Sequence, residues 1–329
     1  MHCCGEFLSD NFTTISLLLV SLLTLLLTLF LFRGKTQEKQ KCPFPRCSRC
    51  RGRMWLKFEK LSEVSKLLAE NGFNADAQSF ICRGLLHTAR LNLRQNQDTS
   101  VNKKDVVLDD CTYRDIDLGP FQFCSPDLST KPFYEKEELL TKEVNVLKDE
   151  FEALRKEVEE LDASKWQTEE DSRWFKFYKI NEGIVQLPVQ EDHRSFAVMK
   201  KLQSEIILDC KFGFAGFFRL EPQGRVDDHY GPTNCRIRVH LGLKIPEGCH
   251  LKVSGSKRTW AEGECLLFDD SFLHSAANDN PGSERLIFLV DFWHPQLSSE
   301  QRRVIKFMFP SFATPTESNE GGDKATDDR

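Results

Sequence analysis

The chain predicts an all-β barrel or jelly roll with flanking α-helices, carried behind one apolar segment of membrane-spanning length. Three patterns predict it. From about residue 173 short apolar or alternating runs succeed one another with turn signals between them; residues 135–162 keep a helical period; and Phe12–Phe32 runs for 21 residues without a charge. Many short strands with no helices among them are the mark of a barrel or jelly roll.

The expected strands are Trp174–Ile180, Ile206–Leu208, Gly216–Glu221, Arg236–Leu243, Leu251–Ser254, Cys265–Phe268, Phe272–Ala276 and Leu286–Trp293. Glu221-Pro222, Gly231-Pro232, Pro246-Glu247-Gly248 and Pro281-Gly282 punctuate them. The 329 residues leave room for this domain and further parts, residues 165–310 being assigned to it. A net charge of −5 carries no footprint for nucleic acid. The 12 cysteines are too dispersed for a disulfide-stapled scaffold. Within the domain, Cys235, Cys249 and Cys265 read equally as disulfide partners or as small buried hydrophobes.

An N-terminal tail, residues 1–11, precedes the span at 12–32, which is long enough to cross about 30 Å of hydrocarbon. The tail holds Glu6 and Asp10 but no Lys or Arg, and no small-residue cleavage site follows, so an uncleaved signal-anchor in the lipid bilayer is expected. The linker 33–54 is basic and contains Cys42, Cys47 and Cys50. By the positive-inside rule its charge favours a cytosolic body.

Residues 55–164 read as a helical neck, with an extended or looped stretch at about 105–133. Leu140, Val144, Leu147, Phe151, Leu154, Val158 and Leu161 alternate by four and three. That stripe allows a homodimer through the 140–161 helix. The preferred reading is an amphipathic helix packed on its own β domain. The tail 311–329 is polar and is expected to be disordered.

In Arg236–Leu243, alternation puts Ile237, Val239, Leu241 and Leu243 on one face and Arg236, Arg238, His240 and Gly242 on the other. The second face either points to solvent or lines an interior, where it would need an anionic partner such as a dicarboxylate. His229 and His274 lie 45 residues apart. Non-haem Fe(II) sites use two histidines and one carboxylate. The usual carboxylate position, two residues after the first histidine, is Gly231, so the residues by themselves argue only weakly for iron. Asp227 and Asp228 are neighbouring candidates to supply a carboxylate. Asp at position 231 is expected to rebuild a three-ligand centre.

Three motifs, His229-Tyr230-Gly231-Pro232-Thr233-Asn234, Arg236-Ile237-Arg238-Val239-His240-Leu241-Gly242-Leu243 and Ile245-Pro246-Glu247-Gly248-Cys249, resemble the aspartyl/asparaginyl β-hydroxylase family. So do Trp260-Ala261-Glu262-Gly263, Phe268-Asp269-Asp270-Ser271-Phe272-Leu273-His274 and Asp291-Phe292-Trp293-His294-Pro295. The resemblance covers about residues 173–300 and is closest to the small membrane-anchored members.

The resemblance implies an all-β catalytic domain of double-stranded β-helix form. It implies Fe(II) as cofactor, 2-oxoglutarate and O₂ as co-substrates, and hydroxylation of the β-carbon of Asp or Asn in a protein or peptide substrate. His229 and His274 then match the iron ligands and Gly231 the family's empty acid position. Arg238, His240 and Arg285 match the 2-oxoglutarate positions, with Val239 in the same segment, and Trp174 matches a pocket-lining tryptophan. The family's co-substrate serine falls on Phe218, which cannot donate a hydrogen bond. A catalytically retired binding or scaffold protein of the same fold is therefore the alternative. The resemblance also implies a type II protein with its domain in the endoplasmic reticulum lumen, against the charge rule.

Overall fold

The structure, a computed structural model, describes residues 61–95, 122–135, 138–168, 172–186 and 193–311. The predicted span 12–32, the basic linker 33–54 and the tail beyond Ser311 lie outside these. Among the described residues no helix is long and apolar enough to cross a membrane.

Eleven strands lie among the described residues: β1 (Phe133–Tyr134), β2 (Trp174–Asn181), β3 (Ile184–Val185), β4 (Ala215–Leu220), β5 (Arg225–His229), β6 (Arg236–Lys244), β7 (Cys249–Val253), β8 (Ser256–Arg258), β9 (Cys265–Phe268), β10 (His274–Asn278) and β11 (Arg285–Trp293). They form a seven-stranded sheet, β1-β9-β6-β11-β4-β2-β3, and a four-stranded sheet, β5-β10-β7-β8. From β4 onward the chain steps from one sheet to the other, β7 and β8 being taken together in the smaller sheet. That alternation is a double-stranded β-helix, and the predicted all-β jelly roll with flanking helices is the architecture found.

All nine residues of β11 are buried, which a strand at the middle of a sheet covered on both faces requires. One cover is the second sheet. The other is helical. α3 (Thr141–Asp149) and α4 (Phe151–Glu159) set Leu147, Leu154 and Val158 against Ile237, Val239, Leu241 and Leu243 of β6, in one cluster that α5 (Arg194–Lys201) completes with Val198 and Met199. Each such fully buried aliphatic side chain contributes about 1.5–3 kcal/mol. This core contains residues from both sides of the boundary drawn at 164/165.

The continuous helix expected over 135–162 is two helices. Glu150 leaves the helical basin between them (φ −99°, ψ 7°), and its buried carboxylate accepts from Arg194 and from Lys201 at 2.8 Å. The apolar stripe is spent on the chain's own sheet, so the homodimer seam at 140–161 is corrected to an internal packing face.

The helical pattern at 55–93 is likewise divided. α1 (Leu61–Glu70) ends before Gly72, whose φ of +74° a side chain would strain, and α2 (Ala75–Gln95) starts where Asn74 Oδ1 accepts from Ala77 N at 2.9 Å. Both pack with α6 (Ser299–Met308) around Phe80, Phe123, Phe212 and Trp293.

The sequence reading missed α5, α6, β1, β3, β5 and β8. For α6 a signal was present: Ser298 and Gln301 form a reciprocal capping box. For β5 none was, because Arg-Val-Asp-Asp-His is an exposed edge strand with no apolar alternation. Ile206–Leu208 is not a strand; Ile206 makes only an isolated bridge to Phe292.

Candidate active site

His229 closes β5 and His274 opens β10, directly opposite one another in the antiparallel ladder. Their ring centroids are 4.1 Å apart. Each Nδ1 meets the carbonyl two residues back: His229 that of Asp227 at 2.7 Å, His274 that of Phe272 at 2.8 Å. A carbonyl only accepts, so both Nδ1 atoms carry the proton and both Nε2 lone pairs are free for a metal. Burial, opposed by the Asp270 carboxylate and helped by His229 and Arg238, pushes His274 down to about 4, so it is neutral and able to ligate near pH 7.

No third His, Cys, Asp or Glu among the described residues completes a metal-holding group with them. Asp227 and Asp228 are exposed on β5 and join no such group. The place beside the second position after His229 is taken by Asp270. Gly231 N donates to Asp270 O at 2.7 Å, and a Cβ on Gly231 would overlap the Asp270 carboxylate. Gly231 is thus required by close approach, and the expectation that Asp at 231 rebuilds a three-ligand centre is corrected: its side chain has no room.

Asp270 is fixed from the other side. Arg236 Nε donates to its Oδ1 at 3.0 Å and Arg236 Nη2 to its Oδ2; Arg238 Nη1 lies 3.1 Å from Oδ2. Arg238 also grips Asp291 with two bonds of 2.8 Å, and Arg236 reaches Asp291 at 3.0 Å. Burial alone would raise the Asp270 carboxyl, but Arg236 and Arg238 outweigh it and hold it well below the usual range. Asp270 is therefore an anion next to the histidine pair. The two aspartates lie in motifs legible in the sequence, yet the sequence does not show that they pair with the arginines.

The register settles the face of β6. Asp291 opposes Arg238 and Leu289 opposes His240. Arg238 and His240 share the interior face of the larger sheet with Arg285, Ile287 and Leu289 of β11, Phe268 of β9 and Phe218 and Trp174 of β4 and β2. Val239 points the other way, into the helix-packed core.

Arg285 is 2% exposed, and its Nε has no partner. No carboxylate among the described residues pairs with it, and burial pushes the guanidinium down to about 10. His240 is also buried, and its Nε2 has no partner. Its Nδ1 accepts from Trp260 Nε1 at 3.3 Å, so Nε2 carries a proton and is a donor. Burial first, then Arg238 and Arg285, keep the ring neutral.

An unpaired buried cation and an unpaired buried N–H on one face are costly unless something accepts from them. A dicarboxylate is such an acceptor, and two free Nε2 lone pairs suit a divalent cation. The residues present fit a metal with an acidic co-ligand.

Trp174 stacks on Phe218 with centroids 6.1 Å apart, and Tyr178 meets Phe218 edge-on at 5.6 Å. Phe218, 4% exposed, fills the interior with apolar volume and offers no hydroxyl. Cys235 and Cys249 are thiols outside any disulfide, both buried as small hydrophobes.

Two sheets joined strand by strand define a double-stranded β-helix protein that carries a facing histidine pair and, on its interior face, donors without partners. The chain belongs to the aspartyl/asparaginyl β-hydroxylase family, whose profile matches residues 141–295. It is 32% identical over 283 residues to aspartate β-hydroxylase domain-containing protein 2 of Homo sapiens, covering 82% of this chain and 70% of that protein. Over 100 residues it is 50% identical to aspartate β-hydroxylase domain-containing protein 1 of Mus musculus, covering 30% of this chain and 28% of that one. Over 97 residues it is 50% identical to aspartyl/asparaginyl β-hydroxylase of Mus musculus, covering 29% and 13%. Family and fold together support a hydroxylase-like function.

Proposed function

We propose that the protein is an Fe(II)- and 2-oxoglutarate-dependent oxygenase that hydroxylates the β-carbon of Asp or Asn in a protein substrate. The observation that carries this reading is the pair of unsatisfied buried donors, Arg285 and His240, beside two histidines whose Nε2 atoms are free. His229 and His274 hold the iron. Arg285 takes the far carboxylate of 2-oxoglutarate by a charge-assisted fork, and His240 Nε2–H donates to the same co-substrate. When bound, iron and 2-oxoglutarate supply with O₂ the oxidising power that no side chain has.

The chain's own residues orient and shield. Asp270 keeps a fixed negative charge beside the centre. Arg238, engaged by Asp270 and Asp291, is assigned to the co-substrate wall through that network. Phe268 stands edge-on to both His240 at 4.9 Å and His274 at 5.8 Å and excludes water between them. Trp174 lines the same interior. The family's substrates, and the apolar run 12–32, motivate the rest of the proposal: a protein or peptide partner, and a type II anchor with the domain in the endoplasmic reticulum lumen.

One observation favours the second reading, a retired binding protein: Phe218 fills the interior with Trp174 and Tyr178 where a hydroxyl is expected. Anaerobic titration of the purified domain with Fe(II) and 2-oxoglutarate separates the two. The oxygenase reading expects a metal-to-ligand charge-transfer band in the visible that disappears in H229A and H274A. No band at millimolar 2-oxoglutarate would leave the binding protein.

A further inference from the structure

Trp260 touches both orphaned donors. Its indole N–H donates to His240 Nδ1 at 3.3 Å, its ring lies nearly parallel to the imidazole (19°, centroids 6.0 Å apart), and the Arg285 guanidinium sits 4.8 Å from its centroid. It is 3% exposed. We propose that Trp260 is a positioning residue for the acidic co-substrate, setting the His240 tautomer with its N–H and seating Arg285 with its ring.

An indole N–H can only donate. The hydrogen bond therefore requires a bare Nδ1 on His240 and directs the one proton of the neutral ring to Nε2, which is buried and has no partner among the described residues. Without that bond the two tautomers of imidazole compete, and the one with Nδ1–H presents a lone pair to an incoming carboxylate and repels it. Arg285 raises the complementary problem. A buried guanidinium needs a partner, but a carboxylate partner would compete with the ligand. The π face of Trp260 attracts the cation through the ring quadrupole and, unlike a carboxylate, brings no opposite charge that an acidic ligand would have to displace. One side chain thus keeps both donors pointed and both unclaimed.

The inference about ligand binding rests on the co-substrate reading; the inference about the tautomer does not. Two-bond ¹H–¹⁵N spectra of the histidine side chains, with His240 identified by its loss in His240→Gln, report the tautomer in metal-free protein. Titration of 2-oxoglutarate into Mn(II)-loaded protein reports affinity. Wild type is expected to show His240 as Nε2–H. Trp260→Phe keeps the ring and loses the N–H: a tautomer mixture is expected, with 2-oxoglutarate bound about three- to tenfold more weakly and Mn(II) affinity unchanged. Trp260→Leu should weaken 2-oxoglutarate by about a further five- to thirtyfold; if that variant does not fold, Trp260→Phe still decides.

An Nδ1–H tautomer in wild type overturns the proposal, as does a Trp260→Phe protein with wild-type tautomer or wild-type 2-oxoglutarate affinity. If wild type binds no 2-oxoglutarate at any concentration, the co-substrate reading fails, and the tautomer comparison still decides whether Trp260 sets His240.

Discussion

Arg285 and Gly231 act in opposite senses at the scale of single residues: one side chain burdens the metal-free fold, and the lack of a side chain at the other is what the packing requires. A buried guanidinium whose neighbours are the Trp260 ring and the Cys249 thiol, with no carboxylate among the described residues paired to it, is destabilising. Arg285→Met should therefore raise the stability of the metal-free protein by about 1–3 kcal/mol while abolishing 2-oxoglutarate binding. Arg285→Lys keeps the charge and loses the fork, so it should weaken 2-oxoglutarate by about one to two orders of magnitude and leave metal affinity unchanged. Calorimetric titration and urea melts check both. Gly231→Ala should cost about 2–4 kcal/mol, because its Cβ must push Asp270 off a position held by two arginines. Gly231→Asp should lower metal affinity and not raise it.

Asp269 gives a residue-scale pH signature. It is fully buried, Oδ2 has no partner, and burial lifts its carboxyl from 3.8 to about 7. Between those values the folded state holds a proton that the unfolded state has released. The contribution of Asp269 is therefore fully present below about pH 4 and is lost as pH rises to about 7. Asp269→Asn removes that loss. Its stability relative to wild type should climb by at most about 4 kcal/mol across this window and then level off. Denaturant melts at pH 4, 5.5, 7 and 8 test it, and a pH-independent difference would refute it.

At the scale of elements, α3 and α4 settle what an apolar stripe is for. Leu154 is fully buried against β6 and β11 in a core shared with α5. Leu154→Ala should cost about 2–5 kcal/mol. Leu154→Glu should unfold the domain outright. Had the stripe been a dimer seam, the same change would yield a folded monomer, so light scattering combined with circular dichroism distinguishes the outcomes. At the split between them, the Glu150 carboxylate accepts from Arg194 and Lys201 and so ties the helix pair to α5.

At the scale of the whole molecule, the helical hairpin α1–α2 is part of the core and not a detached neck. Phe80 and Ile81 are fully buried with Trp293, Val304 and Ile305. Deleting residues 61–95 should therefore expose one end of the β-helix, lower the melting temperature by more than 10 °C and promote aggregation. An unchanged melting temperature would show that the hairpin packs loosely.

The β11 run Leu286–Trp293, the alternating β6 face and the amphipathic stripe at 140–161 were legible in the sequence because each states its burial through its own period. The histidine pair and the arginine positions were marked only by the motifs that resemble the family, since spacing by itself left both open. Exposed or very short strands such as β5 and β8 were not legible, because nothing in their composition records the neighbour that orders them. The tertiary structure alone decided that Asp270 fills the space above Gly231, that Arg238 is committed to Asp270 and Asp291, and that Trp260 joins His240 to Arg285. These are contacts between residues 20 to 53 positions apart, several of them on the connections between strands, and sheet register decides which connections meet. Register depends on the pairing of whole strands, so a local pattern can mark which residues are polar and buried without stating which of them meet.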